Sequence, residues 1–79
     1  MKLGIYVIKD KKTTYMTPTY DYNDQSAMRS FENACKQTDG IFHANPHDFD
    51  LYRIGEFDVD TGRITPCEPV FLCGGFKSE

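Results

Sequence analysis

Cationic and aromatic side chains crowd the beginning of this chain. Lys9, Lys11 and Lys12 stand close to Tyr15, Tyr20 and Tyr22, and Arg29 follows. Single-stranded nucleic acid is held by cationic grooves in which bases stack on aromatic rings, so this mixture is what such a site needs. The same residues also have an ordinary use. Lysines keep an exposed sheet edge soluble, and tyrosines pack half-buried. Charge decides only part of the matter. Residues 1–22 carry four lysines against two aspartates, a net +2, whereas residues 23–79 carry five Lys or Arg against ten acids, a net −5. The chain as a whole stands at −3. That balance excludes a uniformly basic phosphate binder.

Other chemistries fit less well. His43 and His47 are four residues apart, and Cys67 and Cys73 are six apart. Structural zinc sites draw four ligands from tighter spacings. Asp58, Asp60 and Gly62 faintly echo a calcium loop, but the twelfth residue counted from Asp58 is Pro69, where the loop needs Glu. No Gly-rich phosphate loop is present, and no Ser or Cys has a readable base partner. The acids Asp48, Asp50, Glu56, Asp58 and Asp60 read as a solvated strand face and a turn. The expectation is a non-enzyme that uses no metal and no other cofactor. Three cysteines, an odd number without a pairing motif, suit a reducing compartment.

The elements that must position these residues follow from periodicity. Residues 2–9 read as a strand with apolar side chains on both faces, Leu3, Ile5 and Val7 against Tyr6 and Ile8, which suggests a central position. Thr13 to Met16 suits a second strand that ends at Pro18, giving an N-terminal hairpin. The spacing predicts an amphipathic helix over residues 23–38. Asn23 would cap it, Tyr22 would staple its start, and Ala27, Met28, Phe31, Ala34 and Cys35 would form its apolar stripe. Gly40 is a natural stop. Asn45 would cap a single turn opened by Pro46, with Asp48 reaching back to the cap. Phe49 to Asp58 reads as a strand, and Gly55 inside it signals a bulge or a close neighbouring backbone. Asp58 to Arg63 is a hairpin turn, with Gly62 as its left-handed residue. The return strand is expected at 63–65, broken up by Pro66 and Pro69. A short edge strand at Val70–Leu72 is weighed, and residues 72–79 are expected to form a loose tail.

The expected architecture is therefore α+β. One domain over residues 1–79 would hold an N-terminal β-hairpin, one amphipathic helix and a C-terminal hairpin at about residues 49–65, in an antiparallel or mixed sheet. A chain of 79 residues, 39% of them hydrophobic, buries a modest core. Its 14% aromatic content offsets this, and a homodimer is a reasonable expectation. No apolar stretch reaches the 7–15 residues or so of a signal peptide or the 20 or so of a membrane helix, so a cytoplasmic protein without membrane contact is expected.

Three stretches resemble a known family. They are Met1-Lys2-Leu3-Gly4-Ile5-Tyr6-Val7-Ile8-Lys9-Asp10-Lys11; Asn23-Asp24 followed by Ala27, Arg29 and Phe31; and Pro46-His47-Asp48-Phe49 with Leu51-Tyr52-Arg53-Ile54-Gly55-Glu56-Phe57-Asp58 and Thr61-Gly62. In this order and spacing they resemble the small non-structural protein of gokushoviruses, single-stranded DNA phages of the Microviridae. The resemblance implies a protein made in the cytoplasm of an infected bacterium and kept out of the capsid. It also implies a DNA-binding or replication-associated role, at the switch to single-stranded genome synthesis. It carries no residue roles. The alternative expectation is a protein–protein adaptor that engages the replication initiator, a host replication factor or a host defence protein. Its contact surface would be the acidic remainder of the chain and the Tyr52, Ile54 and Phe57 strand.

Overall fold

The computed structural model describes residues 1–37 and 40–75, with only the backbone of Ile41. A four-stranded antiparallel sheet in the order β2-β1-β3-β4 forms the frame. Its strands are β1 (Lys2–Asp10), β2 (Thr19–Asp21), β3 (Phe49–Asp58) and β4 (Ile64–Gly74). One main helix, α1 (Asp24–Lys36), lies between β2 and β3 in the chain, followed by a short helix α2 (Ile41–Ala44) and a 3-10 turn at Pro46–Asp48. The α+β expectation holds, and the sheet is wholly antiparallel.

Strand β1 is central, as its two apolar faces require. The faces do different work. Tyr6 packs with Ala27, Phe31, Cys35, Phe49 and Leu51 in the core, against which Ile8, Met28, Phe42, Leu72 and Cys73 also pack. Because side chains alternate along a strand, Leu3, Ile5, Val7 and Lys9 point away from the helix.

Helix α1 starts as its sequence dictates. Asn23 is extended, and its side-chain oxygen accepts from the Ser26 N–H at 2.8 Å. Glu32 and Lys36 pair one turn apart at 3.4 Å. Tyr22 does not staple the helix start, since it is 71% exposed. The helix closes at a Gln37 cap, and Gly40 opens the next turn by accepting from Ala44. Helix α2 places Phe42 between Phe31 and Phe49, at ring separations of 6.0 and 4.8 Å. Asn45 makes no side-chain cap bond, and Asp48 pairs with Lys12 instead of reaching back.

Two strand expectations need correction. Residues 13–16 make a single antiparallel bridge, Tyr15 with Lys9, through bonds from Asp10 N–H to Thr14 O and from Met16 N–H to Ile8 O, after a turn closed by Thr13 N–H to Asp10 O. The hairpin partner proper lies beyond Pro18, at Thr19–Asp21. The final strand runs unbroken through Pro66 and Pro69. It is the outer strand of the sheet, where a missing N–H costs little pairing. The expected tail is therefore strand as far as Gly74. Gly75 is buried and donates to Phe49 O at 2.9 Å. Phe76–Glu79 and the expected helix end at Thr38 lie outside the described residues.

The bulge at Gly55 sets the phase of β3. Ile5 pairs with Gly55 but Tyr6 pairs with Arg53, so Ile54 is the extra residue. A Cβ on Gly55 would come 2.7 Å from the Thr65 carbonyl oxygen, which explains the glycine. Across this bulge Tyr52 and Phe57, five residues apart, come to the same face. In a regular strand they would face opposite ways. The hairpin turn after Phe57 forms as its residues require. Gly62 has φ +75°, and its N–H donates to Asp58 O at 2.8 Å.

Candidate nucleic-acid interface

The sheet face away from α1 is lined by rings. Tyr52 lies edge-on between Tyr15 and Phe71, with ring centroids 6.1 and 5.8 Å away. Tyr20 tilts against Phe57 at 5.9 Å. The register explains both groupings. Val7 pairs with Tyr52, which pairs with Phe71. Ile5 stands between Tyr20 and Gly55, and Leu3 opposes Phe57, which opposes Ile64. Cross-strand neighbours on one face come within side-chain reach, so these rings shelter the aliphatic floor. Ile5 and Val7 are accordingly buried although no helix covers them. The outer rings remain in water. Tyr15, Tyr20 and Phe71 are exposed, and Tyr52 and Phe57 are half-buried.

Charge enters this face at one end. The Lys9 ammonium sits 5.4 Å from the centroid of the Tyr15 ring. Lys9 makes no ion pair among the described residues. Lys11 pairs with Asp50 at 3.6 Å and Lys12 with Asp48 at 3.5 Å, which partly answers their charges. Asp50 is the face's own acid by its register with Lys9, and its side chain is only 13% exposed under Lys11.

The expected site residues thus divide. Lys9, Tyr15 and Tyr20 share the open face, with Lys11 and Lys12 at its end. Tyr22 and Arg29 do not join them. Tyr22 lies beside the helix start with Lys2, Gly4 and Asp24, and Arg29 is exposed on the polar side of α1. Tyr52 and Phe57, expected in the contact strand of an adaptor, join this surface instead, and so does Phe71, which nothing in the sequence had marked. The signal available for Tyr52 and Phe57 was the bulge glycine between them, which shifts the phase of the strand.

The helix-covered face carries a different constellation. The Tyr6 hydroxyl donates to Asp24 at 2.8 Å, and Arg53 reaches the other Asp24 oxygen at 3.4 Å. Burial and the Asp24 carboxylate together push the Tyr6 hydroxyl well above its ordinary pKa. Tyr6 folds back over Gly4, where a Cβ would overlap its hydroxyl. A cleft of about 460 Å³ beside it is lined by Lys2, Tyr22, Arg53 and Glu56 among others. At the far hairpin, the Asp60 and Thr61 N–H groups hold the Asp58 carboxyl below the usual range. Burial pushes the Cys73 thiol up, with the neighbouring Cys35 adding to it. Among the described residues no three His, Cys, Asp or Glu side chains gather as a metal site, and no helix is long and apolar enough to cross a membrane.

This short α+β chain is a phage protein by its family. Residues 3–77 match the family described as Phage ORF5 protein, and the chain belongs to that family. No curated protein matches the chain, and no solved structure does.

Proposed function

We propose that this phage protein binds single-stranded DNA during genome replication or at the switch to single-stranded genome synthesis. It acts as a non-structural protein of the gokushovirus kind, in the cytoplasm of the infected bacterium and outside the capsid. It works without catalysis, cofactor or metal. The observation that carries this proposal is the Lys9 ammonium set over the exposed Tyr15 ring at the end of the aromatic face. A cation beside a stacking surface is the pairing that single-stranded binding needs. The three stretches that resemble gokushovirus proteins supply the biological setting. Fluorescence anisotropy with a labelled oligonucleotide tests the proposal. Binding at low salt that weakens as salt rises is expected, and no affinity at low salt removes it.

A second reading has its own support. The hairpin at the other end of the sheet is acidic and exposes Val59 and Ile64. That combination suits a protein partner such as the replication initiator, a host replication factor or a host defence protein. Pull-down from infected cells with and without nuclease separates the two. Partners that survive nuclease favour the adaptor.

A further inference from the structure

Resting on the DNA-binding proposal, the geometry points to a specific platform: we infer that the open sheet face stacks the bases of single-stranded DNA, the strand crossing from Tyr15 over Tyr52 to Phe71. Tyr20 and Phe57 form a second, parallel stop. The basic first hairpin is then the entrance, and the sheet itself is the binding surface.

The rings are spaced for this. Centroid separations of 6.1 and 5.8 Å set Tyr15, Tyr52 and Phe71 in one continuous row that a single strand can follow. The row runs from the first hairpin across the sheet to the outer strand, so a nucleic-acid strand meets no closed edge. Neighbouring rings stand at 74° to one another, so bases stack on the exposed Tyr15 and Phe71 with the half-buried Tyr52 between them, and ring–base stacking is tolerant of sequence.

Charge selects this occupant over a second copy of the chain. Among the positions that the register pairs, the charged ones on the open face are Lys9 and Asp50, and Lys11 pairs with Asp50. Two such faces pressed together would bring two Lys9 ammoniums out of water, and Lys9 has no ion-pair partner of its own among the described residues. A phosphate backbone supplies the missing anion. The acids Asp21, Asp24 and Glu56 fall on the opposite face by the same register or by their bonds to α1 and β3 residues, out of the phosphate path. Asp58 and Asp60 lie at the far end, beside Met1 and Lys2.

It follows that rings outweigh lysines in affinity. Each stacked ring should strengthen binding by about tenfold or more. Few phosphates are neutralised, so the salt dependence is shallow.

The test is anisotropy of a labelled oligothymidine of about twenty nucleotides, with circular dichroism to show that each variant is folded. Tyr52→Leu and Phe71→Leu should each weaken binding about tenfold with the salt slope unchanged. Lys9→Gln should weaken it less and reduce the slope by about 0.7. Wild-type protein provides a second readout. The chain has no Trp, so its emission is that of its five tyrosines, and oligothymidine should quench it by stacking. Leucine variants that bind like wild type, together with unquenched tyrosines, overturn the platform while DNA binding stands. A wild-type protein that ignores the oligonucleotide at low salt removes DNA binding and the platform with it. A wild-type dimer that Phe71→Glu converts to monomer by light scattering, with DNA affinity unchanged, also overturns the platform by giving the face to a second copy.

Discussion

The two faces of this sheet are built from similar residues and treated differently by the fold. Both carry aromatics beside aliphatics. On one face Tyr6, Phe31, Phe42, Phe49 and Leu51 close into a core under α1 and α2. On the other, Tyr15, Tyr20, Tyr52, Phe57 and Phe71 touch edge to face or at a tilt and stay in reach of water. The difference teaches that ring content does not mark a core. The covering element does, and here the chain supplies one good helix for two apolar faces. The helices close one face, while on the other only the Ile5 and Val7 floor is buried and the outer rings stay open.

Substitutions that treat the faces alike should show how far apart they are. Phe31→Ala removes a ring from the closed core and should cost about 3–5 kcal/mol in urea unfolding, enough to leave little folded protein at this size. Gly55→Ala comes next. Its methyl meets the Thr65 carbonyl at 2.7 Å, and the strand must shift, at a cost of about 1–3 kcal/mol. Because the bulge sets the phase of both rows, this change should also disturb the open face, seen as altered Tyr52 and Phe57 ring resonances by NMR.

Tyr6→Phe removes one hydroxyl and should cost about 1 kcal/mol near neutral pH. Its signature lies in alkali. The folded Tyr6 pKa is raised, so its contribution is fully present below the ordinary tyrosine value of about 10 and is lost as pH rises above it. Wild-type stability should fall along that limb more steeply than that of the variant. Phe71→Ala, on the open face, should change stability by about 0.5 kcal/mol or less, because the ring is already 57% exposed. A large loss there would mean that the open face is part of the core after all. The smallest effect is Asp58→Asn. The folded pKa is depressed, so the stability it gives is present above the ordinary aspartate range and is lost as the pH falls through the lower folded value. The variant should flatten the acid limb of the stability profile.

Much of this frame was legible in the residues. Asn23 and the stripe from Ala27 to Cys35 announced α1, and Asp58 with Gly62 announced the turn. Phe49–Asp58 formed with the bounds its composition suggested. The misses share a cause, which is that pairing partners are not local. Thr13–Met16 has strand-like side chains and does begin to pair with β1 at Tyr15, but Pro18 has no N–H to carry a ladder on, and regular pairing resumes only beyond it. Pro66 and Pro69 break a strand only where both edges must be paired, and nothing local says that β4 lies outermost. The candidate site was half legible for the same reason. Lys9, Tyr15 and Tyr20 stand out by type. Tyr52, Phe57 and Phe71 gain their place only after a bulge and two registers have brought them together.

The two prolines of β4 have one more consequence. A strand on the outside of a sheet invites another molecule to add its own backbone, and so on into a filament. Pro66 and Pro69 leave gaps in the row of donors that a newcomer would need. The opposite margin offers only the three residues of β2. Growth by strand addition is discouraged at both sides of the sheet.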